Sequence, residues 1–148
     1  MEKLTSLNPT TYEVLGHVDV STEEAITEQV ARAHLIKKEW KELGFTRRVA
    51  LLRKLVAALS NQHEELAQMA TQEMGMPIAQ SRTDVTDGID YLTWYLDNAE
   101  KYLADEIIYE DDSVSHTVTY EPYGVAVVIT PRNFPVSNFV WGAAQCLI

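Results

Sequence analysis

Residues 124–148 read GVAVVITPRNFPVSNFVWGAAQCLI. The run VAVVIT at 125–130 is continuous in apolar character, with no polar alternation. That pattern predicts a strand buried on both faces of a parallel sheet. The run PVSNFVWGAAQCLI predicts a helix with Pro135 or Val136 near its first turn. A buried parallel strand feeding a helix is the opening of a βαβ unit, so the expected fold class is α/β. The last residues carry no Gly, Asn or basic C-cap. The expectation from this alone is that the chain stops inside an element and is part of a longer domain.

Between strand and helix lies ITPRNFP. Thr130 and Phe134 each precede a proline, which steers them away from helical angles. Arg132 and Asn133 are therefore expected in a stiff turn at the C-terminal end of the strand, where open α/β sheets bind ligands. The Asn133 amide carries two N–H donors. On such a turn it can stabilise a developing negative oxygen, or it can simply be a good turn residue.

Upstream, SLNPTTYEVLGHVDV has turn chemistry at Asn8-Pro9 and at Gly16 between β-prone pieces, which predicts a hairpin. STEEAITEQVARAHLIKKEWKEL predicts a helix. Ser21 and Glu24 are placed as a capping box, and Ile26, Val30, Ala33, Ile36, Trp40 and Leu43 share one face. Gly44 is the expected stop and Thr46 the expected cap of the next helix, with Leu52, Leu55, Val56 and Leu59 on its buried side. A break at Ser60-Asn61 precedes a third helix that closes on Gly75. Pro77 then opens a long helix, whose Val85, Ile89, Leu92, Leu96, Ala99 and Leu103 keep the helical period despite Gly88. SVSHTVTYE at 113–121 reads as a partly exposed strand. The organisation expected is a hairpin and helical part over 1–106, a strand region over 107–123, and the first buried strand and helix of a sheet over 124–148.

Composition narrows the function. The 148 residues carry a net charge of −10, which disfavours nucleic acid and anionic membrane as partners. No run approaches the roughly 18 apolar residues of a membrane span, and the N-terminus lacks a signal-peptide layout. One cysteine forms no internal disulfide and fits a reducing, cytoplasmic setting. That residue, Cys146, is expected in the core, as small free thiols commonly are. His17, His34, His63 and His116 have no metal-ligand spacing, so no metal site is expected. Glu64-Glu65 and Asp111-Asp112 are expected to be solvated.

With these motifs in view, the chain resembles the N-terminal part of the aldehyde dehydrogenase superfamily. NPTTYEVLG is similar to the family's opening motif. TRRVALLRKLVAALSNQHEELAQMATQEMGMPIAQS is similar to its helical segment, and YEPYGVAVVITPRNFP to its EPxGVxxxIxPWNFP motif. The resemblance implies a Rossmann-type cofactor domain, NAD or NADP as oxidant, and oxidation of a small aldehyde to a carboxylic acid. It implies that Asn133 is an oxyanion-hole donor. It also implies that Ile129, Thr130, Pro131 and Arg132 border the nicotinamide end of the cofactor. Residues 113–121 fall on a strand of the family's oligomerisation arm, which implies a homo-oligomer. MATQEMGMPIAQSRTDV looks most like the succinate-semialdehyde branch. Arg132 stands where the family usually has an aromatic. The family's nucleophilic cysteine and general-base glutamate fall beyond residue 148, so the isolated chain is expected to be inactive. The alternatives are a non-catalytic interaction protein that pairs with a relative, and the product of a broken gene.

Overall fold

The computed structural model describes residues 2–148. Two antiparallel hairpins and five helices follow one another as β1 (Lys3–Leu7), β2 (Val14–Asp19), α1 (Glu23–Glu42), α2 (Gly44–Asn61), α3 (His63–Met74), α4 (Ile78–Tyr102), β3 (Glu106–Glu110), β4 (Ser115–Val118) and α5 (Pro135–Leu147).

The first hairpin is where the sequence placed it. Asn8 makes the turn: its Oδ1 accepts the N–H groups of Thr10 and Thr11 at 2.9 and 3.3 Å. The hairpin rests on the helices through Ser6, which donates to Glu73 at 2.7 Å. It also rests through Pro9, which packs so close to Gly75 that a Cβ there would lie 2.9 Å from the ring. Gly75 has φ +70°, so it ends α3 in the left-handed conformation glycine adopts without strain.

Two caps differ from expectation. Thr22, one residue later than Ser21, accepts the N–H of Ala25 at 3.2 Å and caps α1. Thr46 is not the cap; α2 already begins at Gly44, whose φ of +73° turns the chain so sharply that the single residue Leu43 separates α1 from α2.

The core is a small cluster. Leu52 of α2, Leu92 and Leu96 of α4, and Val140 and Ala144 of α5 are buried together, with Val49, Val56, Leu59, Tyr95, Val136 and Ile148 packed around them. Leu55 and Leu103, expected inside, are exposed. The apolar stripe of α1 is uncovered from Ile26 to Ile36 and only partly covered at Trp40; none of the helix's residues is buried.

The largest difference concerns residues 125–130. They form no strand, and Val127 and Ile129 are 76% and 90% exposed. Among the described residues the only sheets are the two hairpins, β1-β2 and β3-β4. The start of a Rossmann-type parallel sheet expected over 124–148 finds no ladder partner within these residues. A strand exists only when a neighbour accepts its ladder of hydrogen bonds, and among the described residues no strand pairs with 125–130. The segment instead lies over α5, where Val128 sits against Gly142 so tightly that a Cβ on Gly142 would collide with its Cγ1 methyl. The helix that follows is as expected, with Pro135 in its first turn.

β3 was not foreseen. It pairs antiparallel with β4, from Glu106 opposite Val118 to Glu110 opposite Ser115. Its turn is built by Asp111, whose carboxylate accepts from Tyr109 Oη, Ser113 N and Oγ, and Val114 N at 2.5–2.9 Å. These donors hold the Asp111 carboxyl well below its usual range, the Tyr109 hydroxyl first among them. Every residue of this hairpin is exposed.

Candidate active site

The first turn of α5 has an unusual capping problem. A helix leaves its first N–H groups without partners. Here Pro135 has no N–H, and Asn138 N already donates to Phe134 O at 3.1 Å. That leaves Val136 and Ser137. The usual remedy is a Ser, Thr, Asp or Asn at the cap, but the cap is Phe134, whose side chain has no acceptor.

The acceptor comes from another helix. Asp84 of α4, 1% exposed, takes the N–H of Val136 on Oδ2 at 3.0 Å, and the N–H and Oγ–H of Ser137 on Oδ1 at 3.0 and 2.5 Å. The carboxylate is dry, yet it has three donors and the positive end of a helix in front of it, which is what makes its burial tolerable. One turn further along α4, Gly88 lets the two helices close: an added Cβ would lie 3.3 Å from Val136 Cγ1 and 3.4 Å from Ser137 Cα. One turn earlier, buried Ser81 shares a 2.8 Å hydrogen bond with Thr71 of α3. Helices α3, α4 and α5 are thus tied at one corner.

Asn133 stands on that corner. It lies in a bend two residues before α5, exposed, and among the described residues its amide is engaged by none of the hydrogen bonds that fix the turn. Ile129, Thr130, Pro131 and Arg132 precede it in irregular or bent backbone, all exposed. The geometry therefore brings these five residues into one surface strip, ahead of a helix N-terminus.

The far end of α5 is also held from outside. Trp40 Nε1 donates to Leu147 O at 3.0 Å, and Arg48 Nε donates to Ile148 O at 2.9 Å. Cys146 is exposed, not in the core; its thiol faces Gly142 O at 3.3 Å. It lies on the last turn of α5, on the face away from the buried Val140 and Ala144. Among the described residues no group of three or more His, Cys, Asp and Glu could hold a metal ion. No helix among them is long and apolar enough to cross a membrane.

Asp84, Gly88 and Ser137 were not singled out from sequence. The signal available was a charge on the inner face of α4, in line with Ser81, Val85 and Gly88.

The chain that carries this strip and corner matches a known class. The sequence model of the aldehyde dehydrogenase family matches residues 1–148, and the chain belongs to that family. It is 31% identical over 144 residues to a succinate semialdehyde dehydrogenase [NAD(P)+] of Escherichia coli, covering 97% of this chain and 31% of the relative. It is also 31% identical over 136 residues to an alpha-ketoglutaric semialdehyde dehydrogenase of Bacillus subtilis, covering 92% of this chain and 28% of that one. An aldehyde dehydrogenase structure from Brucella melitensis superposes with a TM-score of 0.93 at 26% identity, over 99% of this chain and 30% of that chain. A succinic semialdehyde dehydrogenase of Streptococcus pyogenes in complex with NADP+ superposes at 0.83 and 26% identity, over 92% and 30%. The chain thus spans about a third of the length of the curated relatives it matches.

Proposed function

We propose that the chain forms the N-terminal part of an NAD(P)-dependent aldehyde dehydrogenase, in which Asn133 donates a hydrogen bond to the oxygen of the aldehyde as it becomes an oxyanion. The observation that carries this is a free, exposed amide on a turn whose following helix is locked in place. An oxyanion donor acts only if it need not reorganise at the moment of reaction. In the same reading Ile129, Thr130, Pro131 and Arg132 border the nicotinamide end of bound NAD or NADP, largely through backbone. The cofactor would accept hydride from the aldehyde carbon. The substrate class is a small aldehyde, with succinate semialdehyde favoured by the names of the relatives. The β3-β4 hairpin, exposed along its length, would pair with a second subunit of a cytoplasmic homo-oligomer, since a strand edge with open N–H and C=O groups templates such pairing.

The test joins residues 1–148 to the remaining part of the Escherichia coli relative and follows cofactor reduction with succinate semialdehyde. Asn133→Ala should lower kcat by about 10²–10³ with little change in cofactor KM. An equally active but less stable Asn133→Ala enzyme would make the residue a turn former and overturn the assignment. The 148-residue chain alone should reduce no cofactor above the blank.

A further inference from the structure

Asp84 has a second consequence, which rests on the reading of Asn133 above. We propose that Asp84 is a positioning residue: its buried carboxylate sets the direction in which the Asn133 amide points.

The inference follows from counting free torsions. Val136 and Ser137 are fixed to Asp84 by backbone as well as side chain, at 3.0, 3.0 and 2.5 Å. Pro135 fixes its own φ. Phe134 precedes that proline and is held extended, with φ −140° and ψ 80°. Between the anchored helix turn and the Asn133 side chain only the torsions of Asn133 and Phe134 remain. The anchor itself is stiff, because Asp84 lies in the second turn of the 25-residue α4, past its first turn, and Gly88 lets that helix touch α5 directly. No group on the loop takes this role among the described residues: Phe134 at the cap has no side-chain acceptor, the Asn133 side chain makes no hydrogen bond to the turn, and the Ser137 hydroxyl is itself a donor to Asp84. A carboxylate is required, not merely a polar group of that size. Three donors converge on it, and an amide in its place would offer one acceptor oxygen and turn its NH2 toward an N–H.

This separates positioning from bulk stability. Asp84→Asn preserves volume and leaves the packing of Val85, Leu92 and Val140 in place. Ser137→Ala removes one donor and keeps both backbone bonds, so it serves as the mild variant should Asp84→Asn fold poorly. In the 148-residue chain, 15N NMR should show the Val136 and Ser137 amide protons moving upfield and losing exchange protection in Asp84→Asn. The Asn133 side-chain NH2 should gain mobility. Ser137→Ala should give smaller changes of the same sign. Unchanged Val136, Ser137 and Asn133 signals in both variants, whatever the melting temperature, would overturn the proposal.

The kinetic arm uses the joined enzyme described above. Displacing a catalytic group by about 1 Å costs on the order of 10²-fold in rate, so Asp84→Asn should lower kcat by about that factor at unchanged cofactor KM. Adding Asn133→Ala should then cost little more, because a misdirected donor has little left to lose. Fully multiplicative losses would overturn the positioning role. If Asn133→Ala by itself leaves kcat intact, the oxyanion reading fails, while the NMR arm still decides whether Asp84 orders the turn.

Discussion

Two stretches of this chain are held in opposite ways. Residues 125–130 are almost wholly apolar and lie exposed. At the α4–α5 corner, a carboxylate and a serine are buried more deeply than most of the leucines. Hydrophobicity alone predicts the reverse. The difference lies in what each backbone finds nearby. The apolar run packs Val128 against Gly142, and among the described residues no backbone hydrogen bond pairs its N–H and C=O groups. The polar corner has every donor matched to an acceptor. Burial follows the satisfaction of polar groups as much as the affinity of side chains for each other.

Truncations sharpen that contrast most. Leu92→Ala, at 1% exposed in the cluster with Leu52 and Val140, should cost about 2–5 kcal/mol. Ile129→Ala, at 90% exposed, should stay within about 0.5 kcal/mol. Denaturant titrations of both variants measure the two values, and comparable losses would mean that 125–130 is packed in solution.

Gly75→Ala comes next. It forces a side chain into φ +70° and against Pro9, and should cost about 1–2 kcal/mol for the left-handed backbone. A melting temperature at or above that of the parent chain would show that the first hairpin does not rest on this corner. Gly142→Ala should be nearly neutral in stability, since Ala is favoured over Gly in a helix by about 0.8–1.0 kcal/mol. It should nonetheless evict Val128, and limited proteolysis within 125–130 should become faster. An unchanged cleavage rate would break the picture of a segment held by one methyl.

The smallest effect is electrostatic. Glu64 accepts two hydrogen bonds from Arg82 at 2.8 and 2.9 Å, and these hold its carboxyl down at about 2, against an ordinary 4.5. A carboxyl depressed on folding contributes stability that is full above its unfolded value. It is lost as pH falls from about 4.5 through about 2. Both side chains are half exposed, so the contribution is small and screened by salt. Arg82→Gln should lower the melting temperature slightly at neutral pH, where the contribution is full, and flatten the acid limb, so that the two curves converge as pH falls from about 4.5 towards about 2. An acid limb equally steep in both chains would remove this pair from the account.

Much of this was legible in sequence. The helices α1 to α5 announce themselves by apolar period, by Gly75 and by Pro77 and Pro135, because those signals act within a turn or two of the chain. Asn133 was legible as a residue on a proline-framed turn. What was not legible is whatever depends on distant neighbours. A strand needs a second strand, so VAVVIT could not declare that its partner is absent from this arrangement. The cap of α5 sits some fifty residues earlier on α4, so no local motif marks it. The Ser21–Thr22 slip is of a different kind: two adjacent hydroxyls offer the same chemistry, and geometry chooses one.

The ties of α5 have a consequence in time. Its C-terminal carbonyls are held by Trp40 and Arg48, which lie 107 and 100 residues earlier, and its N-terminus by Asp84. All three arrive first during synthesis. A ribosome adding about 5–20 residues per second needs roughly 2–7 s to move from Tyr102 to Pro135. Through that interval Leu52, Leu92 and Leu96 wait without Val140 and Ala144 to cover them. The nascent chain therefore carries an open apolar face, with its anchoring groups already in place. During those seconds a chaperone that holds bare helices has its substrate.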